Sequence, residues 1–159
     1  MADADCPFCE KLGRLEALPA DDLVWQFPRS IVLLGSWQFY HGYCLLVSRR
    51  HATELSQLAP DERRAFLDEL CVLAPAIESC FRPDKLNYEL LGNQVPHLHW
   101  HVFPRSRRDS DFRRPVWLAL DRAEREDDEG HRLQNGPLDR ATTAAILRAK
   151  LAESTTPLS

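Results

Sequence analysis

The chain has 159 residues, of which 44% are hydrophobic and 28% charged, a composition typical of one globular domain and not of disordered or collagen-like proteins. The net charge of −4 does not favour a protein that coats nucleic acid. We expect neither a membrane span nor a secretory leader, because no apolar run is long enough and the first ten residues are polar and acidic. Five cysteines are an odd number, which favours a reduced, cytoplasmic protein over a disulfide framework.

Short apolar runs predict strands in the first half of the chain. Residues 23–27 and 30–34, separated by Pro28, predict a strand pair or one bent strand, and residues 43–48 predict a central strand. A helical pattern then begins with a proline and two acids and covers residues 60–80. Pro75 lies inside this pattern and predicts a kink or a break in the helix.

The second half adds two strands, over residues 87–91 and 97–104, with a turn over residues 92–96. Residues 121–129 are strongly acidic and are interpreted as solvated loop or frayed helix, and residues 139–153 predict a closing amphipathic helix. Strands and helices are segregated more than they alternate, so the sequence predicts an α+β domain.

Three histidines alternate with apolar residues in the segment His97–Val102. Side chains at positions i, i+2 and i+4 of a strand point to one face, about 6.6 Å apart, so His97, His99 and His101 are expected to share a face. Half of the chain's six histidines lie in this segment. Imidazoles in such a row can ligate a metal or act as nucleophile, acid or base.

Two further cysteines stand at Cys6 and Cys9, in a C-x-x-C spacing. In a reduced compartment this spacing is typical either of a redox pair or of half of a zinc site. Redox pairs usually follow a strand inside a βαβ unit, and no strand precedes this one. Three other cysteines lie in apolar runs and are predicted to be core residues; they are Cys44, Cys71 and Cys80.

The segment LGNQVPHLHWHVFPR, residues 91–105, resembles the signature of the histidine triad (HIT) proteins, in which three histidines alternate with apolar residues. Residues 42–51 are similar to the second strand of that family, and Cys6-x-x-Cys9 is similar to the cysteine pair of its zinc-binding branch. The resemblance covers roughly residues 6–117 and is greatest to bacterial members related to diadenosine-tetraphosphate hydrolases. It implies an antiparallel sheet with a long helix on one face and a C-terminal helix.

The resemblance also implies roles for individual residues. A structural zinc ion would take Cys6, Cys9, His51 and His97, a set that closes a tetrahedral site. His99 would be the nucleophile that attacks an α-phosphorus and forms a covalent nucleotidyl-histidine. His101 would contact the phosphate or assist the leaving group.

Other polar residues are interpreted as phosphate contacts. Asn93 and Gln94 lie in the turn before the histidine strand, where relatives place phosphate-contacting side chains, although turn chemistry alone also explains them. Five arginines follow, and guanidinium groups bind polyphosphate; they are Arg105, Arg107, Arg108, Arg113 and Arg114. The walls of a base-binding slot are predicted at residues 24–27 and 31–34.

The chain departs from the family pattern at three places. Many relatives have Pro-Gly-His where this chain has His41–Gly42–Tyr43. They often have Pro three residues before the zinc histidine, where this chain has Ser48. Most nucleotide-binding relatives have an Asp or Asn that holds the ribose near the position of Gly35, where no carboxylate is present here.

The function implied is hydrolysis of a nucleoside polyphosphate or phosphoramidate at the α-phosphorus. Alternatives are a nucleotidyltransferase that uses the same intermediate, a nucleotide sensor with little turnover, and a hydrolase with a catalytic zinc ion. The predicted organisation is a HIT domain over residues 1–117 and a C-terminal extension, residues 118–159, packed on it. We expect a homodimer that binds nucleotide and has no nucleic-acid or membrane partner.

Overall fold

Five strands form one antiparallel sheet in the order β1–β2–β3–β5–β4. The structure, a computed structural model, describes residues 5–155. The four residues at each end, which belong to the predicted domain 1–117 and to the predicted extension 118–159, lie outside this range. The strands are β1 (Leu23–Gln26), β2 (Ser30–Leu34), β3 (Cys44–Ser48), β4 (Lys85–Glu89) and β5 (His99–Arg105).

Five α-helices are found in the described residues. They are α1 (Pro7–Gly13), α2 (Pro60–Phe81), α3 (Val116–Ala123), α4 (Asp127–Gln134) and α5 (Arg140–Thr155). The α+β prediction is therefore confirmed, with a long helix against the sheet and a C-terminal helix beside it. No helix within residues 5–155 has the length and apolarity needed to cross a membrane.

One face of the sheet packs against α2 and α5, because alternate strand residues point to that side. Val32, Leu46 and Val102 are fully buried there, and they meet Leu73 of α2 and Leu147 of α5. The opposite face holds a second set of alternate residues, which includes Ile31, Leu33 and Val47. This second face carries the histidines.

The structure differs from the predicted elements in several details. Strand β5 begins at His99, two residues after the predicted start. Helix α2 continues through Pro75, so the predicted alternative of a break was wrong. Pro75 removes the bond to the carbonyl of Cys71, and since both residues lie on the exposed side, water can satisfy that carbonyl. Cys71 is thus exposed, although a core position was predicted. Strand β4 begins two residues early, because Lys85 pairs with Arg105.

The acidic segment 121–129 is mostly helical, where loop or frayed helix was expected. It contains the end of α3 and the beginning of α4. Asp127, Asp128 and Glu129 occupy the first turn of α4, where negative charge is stabilised by the helix dipole.

Candidate active site and metal centre

Four side chains from three parts of the chain form a compact cluster. The ligand atoms of Cys6, Cys9, His51 and His97 all lie within 4.8 Å of one another. Cys6 Sγ lies 3.3 Å from Nδ1 of His97, and Cys9 Sγ lies 3.3 Å from Nδ1 of His51. These are the four residues that the resemblance implied as zinc ligands.

The dimensions of this cluster fit a tetrahedral zinc ion. With bonds of about 2.3 Å to sulfur and about 2.0 Å to nitrogen, neighbouring ligand atoms stand about 3.5 Å apart. The observed sulfur–nitrogen distances of 3.3, 3.3 and 3.7 Å agree with that value. The far nitrogen of His97 donates to the carbonyl of Ser48 at 2.8 Å, which fixes the ring with Nδ1 free for a metal.

Helix α1 connects this cluster to the histidine strand. Cys6 is the N-cap residue of α1, and Cys9 lies in its first turn. Phe8, between them, is buried against both His97 and His99, with ring centroids 5.6 and 4.8 Å away. A metal that holds the two cysteines would therefore also hold Phe8 against His99.

His99 has one ring nitrogen fixed by the main chain. Its Nδ1 lies 2.6 Å from the carbonyl oxygen of His97. Because a carbonyl oxygen only accepts, Nδ1 carries the proton and donates. Burial lowers the pKa of His99, against a raising contribution from that hydrogen bond. The neutral ring thus presents an Nε2 lone pair.

His101 completes a directed chain of hydrogen bonds. Its Nε2 lies 3.0 Å from Nε2 of His99, which has no proton, so His101 Nε2–H is the donor. The Nδ1 of His101 then accepts from the Tyr43 hydroxyl at 2.8 Å. Burial, followed by the proximity of His99, lowers the pKa of His101 to about 3.

The C-terminal part of the chain adds a cover that sequence reasoning missed. Trp117 of α3 stands edge-on to His101, with centroids 4.9 Å apart. Its indole N–H donates to the carboxylate of Glu89, the residue opposite His101 on β4. The sequence contains no motif that identifies Trp117 as a site residue, because its position beside His101 depends on how α3 packs against the sheet.

A cavity of about 210 Å³ is lined by Phe8, which packs against His99, and by Tyr43, which is hydrogen-bonded to His101. The largely apolar walls of this cavity come from α1, from β2 and β3, and from the segment between these two strands; they are Phe8, Leu33, Leu34, Trp37, Tyr43 and Leu45. Its charged lining residues are Lys11 and Asp22, which form an ion pair at 2.5 Å. Of the predicted walls of the base-binding slot, Leu33 and Leu34 line this cavity, whereas Val24 and Phe27 belong to the core beneath the other face.

The predicted phosphate contacts have different surroundings. Asn93 and Gln94 are exposed on the turn before β5, where Gly92 has a φ of 85° that suits glycine. Arg105 is only 1% exposed and is paired with Asp109 at 2.7 Å, so it is a structural residue and is not available to a substrate. Arg107 and Arg114 are paired with Asp84 and Asp111.

Comparison with known proteins identifies the family of this chain. The model of the HIT domain family matches residues 19–108, more than half of the chain. The chain therefore belongs to the HIT family.

Three solved structures illustrate the similarity. A histidine triad protein from Bradyrhizobium japonicum is 26% identical with a TM-score of 0.62, over 83% of this chain and 88% of that one. A zinc-bound histidine triad family protein from Mycobacterium smegmatis is 20% identical with a TM-score of 0.65, over 94% of both chains. A hypothetical histidine triad nucleotide-binding protein from Sulfolobus tokodaii is 16% identical with a TM-score of 0.66, over 93% of both. The last two similarities show the shared fold alone.

Proposed function

We propose that the protein is a nucleotidyl hydrolase that cleaves a nucleoside polyphosphate or phosphoramidate at the α-phosphorus. One observation supports this most directly. His99 has its Nδ1 proton engaged by a carbonyl 2.6 Å away, and its Nε2 lone pair faces a hydrogen-bond donor 3.0 Å away. A nucleophile and a donor beside one reacting atom are what displacement at phosphorus requires.

In the first step, His99 Nε2 forms a bond to the α-phosphorus and the bond to the leaving group breaks. The bonding electrons depart with the leaving group. His101 Nε2–H, released from His99 by the substrate, donates a hydrogen bond to a phosphoryl oxygen or to the leaving oxygen or nitrogen. The departing amine of a phosphoramidate takes up its proton from water. In the second step, water attacks the phosphorus, the electron pair returns to His99 Nε2, and a proton passes to solvent.

The cavity beside His99 is the proposed site for the nucleoside. At about 210 Å³ it suits a base between Phe8 and the apolar residues of β2 and β3, with the rest of the substrate directed toward the histidines. Gly35 supplies no side chain there. Asp22, held by Lys11, is the carboxylate that lines this cavity, and we assign it the ribose hydroxyl contact.

Zinc has a structural role in this proposal. Cys6, Cys9, His51 and His97 would hold it with no open position, so it supplies cross-linking of α1 to the sheet and no catalysis. Asn93 and Gln94 remain proposed phosphate contacts, supported by their place on the turn before β5. The homodimer and the cytoplasmic location stay predictions.

The test is a panel of diadenosine polyphosphates and adenosine phosphoramidates, assayed with wild type, His99→Ala and His131→Ala. His131 lies exposed on α4 and is the matched control. We expect turnover with wild type and the control, and loss of at least about 10³-fold with His99→Ala, the scale of removing a catalytic nucleophile. Acid-quenched wild type should carry a nucleotide adduct that His99→Ala lacks.

Other outcomes favour the alternatives. Full activity in His99→Ala would overturn the nucleophile assignment. Adduct formation without hydrolysis, followed by nucleotide transfer to added phosphate or sugar phosphate, would indicate a transferase. Tight nucleotide binding with neither adduct nor turnover would indicate a sensor.

A further inference from the structure

Tyr43 contacts the last of the three histidines, although it lies outside the histidine segment of the sequence. It precedes β3, and its hydroxyl lies 2.8 Å from Nδ1 of His101. Its ring is nearly parallel to that of His101, at an interplanar angle of 9°. At 2.8 Å the phenolic O–H is within hydrogen-bond distance of Nδ1, and a ring nitrogen without a proton accepts from it.

Packing leaves the Tyr43 ring in one position. One side stacks on Phe103, with centroids 3.9 Å apart and an angle of 6°. On another side, a Cβ added at Gly35 would lie 2.1 Å from Cδ1 of the ring. No side chain fits at Gly35 while the Tyr43 ring is in this position.

The main chain around Tyr43 is also fixed. The Gly35 N–H donates to the Tyr43 carbonyl at 2.9 Å. The side chain of Gln38, which is 1% exposed, donates to the carbonyls of both Gly35 and Tyr43, at 2.8 and 3.0 Å. These hydrogen bonds hold the main chain of Tyr43 in place, so its hydroxyl has a fixed position beside His101.

We propose that Tyr43 is a positioning residue that holds His101 as the neutral tautomer with its proton on Nε2. The hydroxyl donates to Nδ1, so the only ring proton stands on the nitrogen that faces His99. Glu89, His99 and Tyr43 are the titratable groups around this ring, and burial keeps it neutral. His101 thereby acts as a hydrogen-bond donor to the substrate and not as a cationic acid.

This inference deepens the proposed function and rests on it only for its kinetic consequence. The tautomer itself is observable in the resting protein. Without the hydroxyl, the ring can place its proton on Nδ1, and Nε2 would then face the lone pair of His99. That state lacks the donor at the site where charge develops, which reduces the rate of the first step.

The experiment compares wild type with Tyr43→Phe, Tyr40→Phe and Gly35→Ala. Tyr40 is a suitable control because its hydroxyl is buried and has no hydrogen-bond partner among the described residues. In each protein, ¹⁵N NMR of the histidine rings identifies the protonated nitrogen of His101. Zinc content and thermal stability establish that the fold is retained.

We expect a single Nε2–H tautomer in wild type and Tyr40→Phe, and a mixture with Nδ1–H in Tyr43→Phe. Gly35→Ala should give the same mixture, because the methyl group displaces the ring while the hydroxyl remains. Turnover should fall by about tenfold to 100-fold in Tyr43→Phe, mainly in kcat, and should be unchanged in Tyr40→Phe.

Unchanged His101 tautomer in a folded Tyr43→Phe protein would overturn the inference, whatever the kinetics. So would equal loss of turnover in Tyr43→Phe and Tyr40→Phe. If wild type cleaves no nucleotide, the proposed function fails, yet the NMR comparison still decides the role of Tyr43.

Discussion

Replacing Arg105 by methionine is expected to destabilise the fold by about 3–5 kcal/mol, the cost of leaving the partner of a buried ion pair without its counter-charge. The Arg105 side chain is 1% exposed and that of Asp109 is 6% exposed. Arg105 donates twice to Asp109, at 2.7 and 3.2 Å. It also donates to Asn87 and to the carbonyls of Asp111 and Arg114.

The magnitude follows from what the substitution leaves behind. Methionine fills much of the volume, so the apolar packing changes little. Within residues 5–155, the carboxylate of Asp109 then keeps only the hydrogen bond from the N–H of Asp111, at 2.9 Å, and three further acceptors lose a donor. For a chain of this size, 1 kcal/mol corresponds to about 2–4 °C in the midpoint of thermal unfolding, so a decrease of about 10 °C is expected.

Urea and thermal unfolding followed by circular dichroism measure this effect. Arg108→Met is the control, because Arg108 is exposed and its loss should change the free energy of unfolding by less than about 0.5 kcal/mol. The double variant Arg105→Met with Asp109→Leu should recover part of the loss, since no buried charge then remains. If Arg105→Met and Arg108→Met both change the free energy of unfolding by the same small amount, the buried-pair reasoning is refuted. Arg105 would then be a surface residue able to bind substrate.

Three further predictions concern the site. Cys9→Ala should lower zinc affinity by more than about 100-fold, because substitution of residues that only support metal ligands already costs about 10–100-fold. Metal analysis measures this loss. The control is Cys71→Ala, at an exposed cysteine of α2, which should keep its zinc. Asp22→Asn should lower the ratio of kcat/KM for a ribonucleotide to kcat/KM for its 2′-deoxy analogue by about tenfold, the value of one charge-assisted hydrogen bond. The neighbouring substitution Asp21→Asn is the control and should leave this ratio unchanged. His101 has its pKa lowered from 6.5 to about 3 by burial and by His99, so below pH 6.5 the unfolded chain binds a proton that the folded chain does not. The free energy of unfolding should therefore fall by about 2 kcal/mol from pH 7 to pH 5 because of His101. Denaturant titrations at several pH values should find a smaller decrease in His101→Asn. The same pH dependence in both proteins would contradict the burial of a neutral ring.

Local patterns were sufficient for much of the fold. Strands β2 and β3 were predicted from apolar runs, and α2 and α5 from helical periodicity, because burial of these elements requires apolar residues that the local sequence shows directly. The register of β4 and the helices α3 and α4 were not predicted. Lys85 pairs with Arg105 across the sheet, and nothing in the neighbouring residues of β4 specifies that partner.

The sequence by itself determined the chemistry that this protein can offer. Three alternating histidines, a cysteine pair and His51 define a family and a set of donors, since residue type and spacing decide what can ligate or attack. Only the tertiary structure decided how these groups are controlled. Tyr43 meets His101 because β3 and β5 are neighbours in register, Gly35 leaves space for the tyrosine ring, and Trp117 covers the site through a helix remote in sequence. Arg105, which resembled a substrate-binding cation, is neutralised by Asp109, because charge acts through distance and burial and not through sequence position.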